Sequence, residues 1–361
     1  MKKKYTSLDL LKILSMIMII FHHSVQHMLE YDYKVFDLPF SLNNYFSIIF
    51  DFLGGQIGVY IFIIIFSFFI MKKDQYHIKK IFKIIIESFL ISVSIVLLIQ
   101  LILKIKVDKT MLKYSLFVPF NDHYWFINAY LSFYLIAPFL NKFQKNLSDK
   151  ELKSFCILLT FINPISNFIL KYNVGSFLLD FCYAFFLIAL LERNSNNIIY
   201  KNKKKLLIIS LIIFLCLPLA KLIVTPTFFS SIYLHINNRN LIPLFIAIVI
   251  FYNFKELNIK SNFTIKILSE STLGVYLLHE HVAINYLYFN NIRKSLLWEE
   301  IMKISSVYKE YYYPLKLIVF IIIIYIINSI IYIIIDKILC VLLFDRKYYN
   351  KICSKIDSII Y

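Results

Sequence analysis

The sequence predicts an all-α polytopic membrane protein, a bundle of about ten transmembrane helices with both termini in the cytoplasm. Three observations carry that prediction. Hydrophobic residues make up 60% of the chain and charged ones only 17%, far from the balance of a water-soluble domain. Apolar runs of about 20 residues, long enough to cross a bilayer as helices, recur along the whole chain between short basic loops. About two-thirds of the 39 Lys and Arg fall on alternate loops, which the positive-inside rule places in the cytoplasm. The net charge of +17 by itself would suit a nucleic-acid partner, but these lysines sit where topology requires them, and no nucleic acid is expected.

The apolar runs fall at approximately 8–28, 47–71, 84–103, 119–140, 154–171, 175–191, 206–224, 240–253, 267–289 and 314–336, the eighth being short. Nothing between them is long enough for a separate soluble domain, so residues 1–345 are expected as one bundle and 346–361 as a short basic cytoplasmic tail. The first run is too long for the core of a cleavable signal peptide and lacks a small-residue cleavage site. It is expected to remain as the first helix of a multi-pass protein of the cell membrane, surrounded by membrane lipids. Cys156, Cys182, Cys216, Cys340 and Cys353 are scattered singly, mostly within apolar runs, and read as reduced packing residues with no metal-ligand spacing.

The first run carries charge and imidazole where hydrocarbon is expected: Asp9, Lys12, His22, His23 and His27. Lys12 and His23 are eleven residues apart, which on a helix returns to within about 20° of the same azimuth at roughly 16 Å of rise. Asp9 and His27 fall within about 60° of that stripe, whereas His22 points about 100° from His23. Ionisable groups at membrane depth are costly and normally face a bundle interior, which makes His23 the candidate base and Lys12 and Asp9 its companions. A plainer reading has Lys12 snorkelling to the headgroups and His22 or His27 in the outer interface.

Before the second helix come Asp51 and Gly54-Gly55-Gln56-Ile57-Gly58, holding three of the five glycines in the chain, a sign of close backbone approach. Their spacing fits neither a P-loop nor a dinucleotide fingerprint. After this helix, Lys80 and Lys83 lie three apart and share a face at the start of the third, a two-point anion site or simply a cytoplasmic lysine cluster. The fourth run opens with Asp122-His123-Tyr124-Trp125-Phe126, where Trp125 suits an aromatic belt and His123 beside Asp122 suits a proton shuttle or a solvated surface. The region from the seventh to the eighth run offers His235, Arg239 and Pro243, Arg239 being a minor anion-site candidate at the end of a short helix. The ninth run contains Glu270, Gly274, His279, Glu280 and His281. On a helix His279 and His281 would point about 160° apart, unlike the i,i+4 pair of a zinc helix, so no metal is expected there. The tail after Lys337 is amphipathic and reads as a membrane-surface end.

These motifs, in this order, resemble those of the acyltransferase family 3 membrane proteins, the O-acetyltransferases of polysaccharides and cell-envelope glycans. The family's Asp, then Arg or Lys three residues on, then His after ten intervening residues, is similar to Asp9, Lys12 and His23. Its second-helix pattern resembles Gly58-Val59-Tyr60-Ile61-Phe62 with Ser67-Phe68-Phe69, Phe68 standing where the family has Gly. Its two arginines after that helix correspond to Lys80 and Lys83, which keep the charge but lose the bidentate fork. His123 to Phe126, Tyr134 to Phe139 and Ser271 to His279 match three further family patterns.

The resemblance implies transfer of an acyl group, acetyl from acetyl-CoA, to a hydroxyl of a glycan or lipid-linked sugar. Acetyl-CoA would be a substrate, with no bound cofactor. A neutral His23 would take the proton of the attacking hydroxyl, while Lys12, or Asp9 through Lys12, would tune that imidazole or hold the pantetheine arm. Lys80 and Lys83 would bind CoA phosphates, and His123, Trp125, His279 and Glu270 would contact substrate. The rival is a transporter or flippase of a charged lipid or glycan, with Lys12, His23 and Glu270 lining its path. It predicts an internal repeat, and the two halves show no clear pseudo-symmetry. An envelope glycan polymerase would favour a large external loop with paired arginines, and the 291–313 loop offers only Arg293.

Overall fold

The computed structural model describes residues 5–25, 45, 49, 54–73, 75–102, 104, 107–118, 120–166, 176–194, 198–217, 219, 241–287 and 312–360. Among these residues every regular element is helical, and a helix lies within each of the ten apolar runs. Three helices are both long and apolar enough to cross a membrane on length and composition: α1 (Thr6–Val25), α3 (Lys79–Ile102) and α13 (Tyr312–Leu339). Between the first two lies the shorter, equally apolar α2 (Gly55–Ile70). The others are α4 (Lys109–Leu116), α5 (Trp125–Asn146), α6 (Asp149–Thr160), α7 (Phe177–Arg193), α8 (Ile198–Cys216), α9 (Leu241–Glu256), α10 (Phe263–Glu270), α11 (Thr272–His279), α12 (Val282–Leu287) and α14 (Lys347–Ile360). His27, Asp51, His235, Arg239 and Arg293 lie outside the described residues.

Local sequence sets the helix starts. Asp108 accepts from the backbone N–H of Met111 at 2.6 Å and opens α4, and Asn262 does the same for Ile265 at α10. Ser148 and Glu151 form a reciprocal capping box at α6.

Polarity is arranged for lipid rather than water. On α13 the isoleucines Ile322, Ile326 and Ile330 face outward, while Ser329, Tyr325 and Tyr332 are buried. The same holds on α3, where Leu97, Leu98 and Leu101 are exposed and Glu87, Ser88 and Ser92 are buried. Backbone polar groups satisfied within helices and an apolar outer face are what a bilayer demands, so the chain is a membrane protein.

At the centre α1 packs antiparallel to α2: His22 meets Gly55 at one end, and Tyr5 meets Phe68 and Phe69 at the other. The glycines make this approach possible. A Cβ on Gly58 would stand 2.7 Å from the Ser15 carbonyl oxygen, backbone that cannot swing aside. Gly58→Ala is therefore expected to force the two helices apart and destabilise the bundle by about 1–3 kcal/mol. Melting of the purified protein in detergent checks this, and an unchanged midpoint would contradict the close approach.

The ninth apolar run is not one continuous helix. It breaks at Ser271 and again at Glu280, giving α10, α11 and α12. Tyr325 on α13 donates to the Leu268 carbonyl at 2.7 Å and satisfies one acceptor beside the first break. Gly274 lets α11 lie against the Tyr332 ring, which a Cβ would overlap.

Candidate functional site

The residues singled out on α1 meet the ninth apolar run at two levels. At the inner level, Lys12 Nζ donates to Asp9 Oδ1 at 2.9 Å and to Ser269 Oγ at 3.3 Å, and Ser269 in turn donates to Asp9 at 3.1 Å. At the outer level, His23 Nδ1 lies 2.6 Å from Glu280 Oε1 and 3.0 Å from His279 Nε2. The two levels are separated by eleven residues on α1 and ten from Ser269 to His279, so the segments run side by side in the same direction.

The outer level has one consistent proton arrangement. His279 Nδ1 faces the Val275 carbonyl at 2.7 Å, where only a donor is satisfied, so His279 Nε2 carries a lone pair toward His23. His23 Nδ1 then faces two acceptors and holds the proton, which leaves Nε2 as its basic nitrogen. His23 lines a cavity of about 540 Å³, whereas His22 is buried against Gly55 between α1 and α2. Glu280 was not among the residues the sequence singled out for a role. The signal was there in a carboxylate next to His279 within an apolar run, but only the break after His279 turns that carboxylate toward His23.

His23, His279 and Glu280 also form the one trio among the described residues whose ligand atoms are near enough to share a metal ion. His23 Nδ1 is hydrogen-bonded to His279 Nε2 at 3.0 Å and in charge contact with Glu280 Oε1 at 2.6 Å. Ligands about 2.0–2.1 Å from a tetrahedral zinc would stand roughly 3.3 Å apart. The third separation, His279 Nε2 to Glu280 Oε1, is 3.7 Å, and the grouping puts a histidine and a carboxylate beside the Nδ1 of His23. His281 turns elsewhere, its Nε2 meeting Ser92 Oγ at 2.8 Å. His123 does not line the cavity. It donates from Nε2 to the Glu280 carbonyl and steadies the break, as does Tyr124, which donates to the Leu277 carbonyl at 3.1 Å. Trp125 does line the cavity, stacked on Phe177 with centroids 3.9 Å apart.

At its inner end the same cavity is lined by Lys12, Lys73, Lys80, Lys83 and Glu87. Lys80 and Lys83 share that wall, but they are not an equivalent pair. Lys83 Nζ is 2.6 Å from Asp336 and 3.5 Å from Glu87, whose other oxygen accepts from Tyr332 at 3.1 Å. Asp336 already neutralises it. Lys80 has no carboxylate partner among the described residues; its ammonium lies 5.2–5.4 Å from the centroids of Phe66, Tyr130 and Tyr134. Lys73 joins it from the other side, donating to the Tyr134 hydroxyl at 3.4 Å. Among the described residues, the cavity-lining cations without a carboxylate partner are thus Lys80 and Lys73.

Two other expectations change. Lys12 cannot tune His23, because its charge is held by Asp9 and Ser269 about 16 Å of helix rise away. Glu270 lies at the cavity wall, yet its side chain is 64% exposed and pairs with Lys266 at 3.7 Å, so it is a rim residue.

A family model described as an acyltransferase domain matches residues 5–337, nearly the whole chain. No curated protein and no solved structure matches it.

Proposed function

Because the chain belongs to the acyltransferase-3 family, we propose that it is a multi-pass O-acyltransferase of the cell membrane that moves acetyl from acetyl-CoA to a hydroxyl of a cell-surface polysaccharide or lipid-linked sugar. The observation that carries this reading is one cavity joining Lys73 and Lys80, cations with no carboxylate partner among the described residues, to His23. Ten crossings with both termini cytoplasmic belong to the same proposal and put the cations on the side where acetyl-CoA is made.

In this mechanism the phosphates of the donor sit against Lys73 and Lys80, and the thioester arm extends along the apolar wall of Met16, Ile19, Val59 and Phe62 toward His23. The sugar hydroxyl enters from the Trp125 end. As its oxygen attacks the thioester carbonyl, its proton passes to His23 Nε2. The carbon–sulfur bond then breaks, the acetyl ester leaves with the acceptor, and the CoA sulfur takes the proton back from the imidazolium. Glu280 fixes the tautomer and stabilises the transient imidazolium through Nδ1–H, as a carboxylate does behind any histidine base.

Mass spectrometry of extracted envelope glycan tests the function. Deleting the protein should remove an acetyl mass increment that the native chain restores, and purified protein should release CoA from acetyl-CoA when given that glycan. Unchanged acetylation with the glycan missing from the surface would instead favour transport. The two lysines should also separate. Lys80→Ala is expected to raise KM for acetyl-CoA about tenfold, as for loss of one charge-assisted contact. Lys83→Ala should mainly lower the melting temperature, because Glu87 and Asp336 lose their cation. Equal effects on KM would restore Lys83 as a ligand.

A further inference from the structure

Helix α14 lies beyond residue 337, where the family match ends. A turn of a few residues separates it from Phe344, and it packs against residues 77–79, between Lys73 and Lys80. Asp357 reaches that segment with both oxygens. Oδ1 accepts from the Ile78 N–H at 2.6 Å, immediately before the first residue of α3, and Oδ2 lies 3.3 Å from His77 Nδ1. Two further bonds fix the neighbouring residue: Lys79 Nζ donates to Asn350 at 2.7 Å, and the Tyr349 hydroxyl donates to the Lys79 carbonyl at 3.2 Å. Tyr349 and Cys353 are buried in this contact. From the opposite side, Tyr134 accepts from the His77 N–H and from Lys73, both at 3.4 Å, and Asn141 donates to the Lys73 carbonyl at 3.2 Å.

The segment between the two cations is therefore gripped between α5 and α14. We propose that α14 positions the donor-binding lysines, with Asp357 as the positioning residue: by capping the first turn of α3 it sets where Lys80, two residues beyond Ile78, enters the cavity. This rests on the reading of Lys73 and Lys80 as the site for the donor's phosphates. Local sequence offers α3 no cap of its own in Tyr76-His77-Ile78, so a carboxylate supplied from the far end of the chain takes that role.

The test uses the full chain, purified in detergent, with acetyl-CoA as the varied substrate. Asp357→Ala is expected to raise KM for acetyl-CoA about fivefold while kcat stays within twofold, the effect of one lost cap on the placement of one contact. Asp357→Asn keeps an oxygen acceptor for Ile78 and should recover most of that loss, which a general destabilisation would not distinguish. If Asp357→Ala does not fold, Tyr349→Phe removes one hydroxyl from the same grip and should shift KM in the same direction. An unchanged KM in the folded variant, or a fall in kcat alone, overturns the proposal. Lys80→Ala run alongside separates the two ideas. If it raises KM and Asp357→Ala does not, only the brace fails; if neither does, the donor site itself is wrong.

Discussion

Replacing His23 by alanine is expected to lower kcat for acyl transfer by about 10²- to 10⁴-fold, the range spanned by a positioned general base. The side chain removed lies between the cavity and two groups that fix its tautomer, Glu280 at 2.6 Å and His279 at 3.0 Å. Neither neighbour replaces it. Glu280 and His279 do not line the cavity, and the His279 nitrogen on the far side is committed to Val275. KM for acetyl-CoA should stay within about twofold, because the proposed site for the donor's anionic end is formed by Lys73 and Lys80 and leaves His23 out. Single-turnover release of CoA by variant and native protein at equal membrane levels measures this. Residual turnover above a tenth of native would remove His23 from the role of base, and His22, buried against Gly55, has no route to the cavity to take its place.

Glu280→Gln should be nearly as severe, about 10²-fold or more in kcat. The substitution keeps the shape but reverses the hydrogen bond, since an amide N–H facing His23 Nδ1 favours the tautomer with its proton on Nε2. The nitrogen needed as base is then already occupied. In a serine protease triad the equivalent carboxylate-to-amide change costs about 10⁴-fold for this reason. Because Glu280 acts only through His23, the double variant should be no slower than His23→Ala alone. Additive losses would mean that Glu280 touches substrate independently. His279→Ala, which removes the competing acceptor at 3.0 Å, is expected to be milder than either, since the carboxylate still holds the Nδ1 proton.

Helical character, the membrane setting and the family were legible in the sequence because each depends on local quantities. Apolar run length sets whether a helix spans, and the spacing of eleven residues puts Lys12 and His23 on one face whatever they meet. The same angular argument separated His23 from His22, and the structure places one in the cavity and the other against Gly55. The glycine cluster likewise signalled a close approach before its partner, the Ser15 carbonyl, was known.

Which charges are neutralised was decided only by tertiary structure. Lys80 and Lys83 are indistinguishable as sequence, sharing residue type and helix face, yet Asp336 and Glu87 converge on Lys83 while aromatic rings surround Lys80. Lys73, outside any helix, carried no periodic signal at all. A continuous helix over 267–289 gives no reason to prefer Glu280 to Glu270, and it is the break after His279 that brings one carboxylate to the imidazole and leaves the other at the rim. Periodicity reports the face a residue occupies, which is a property of a few turns of chain. The electrostatic state of that residue depends on groups hundreds of positions away, such as Asp336 beside Lys83 and Asp357 at the Ile78 N–H, and only folding brings those together.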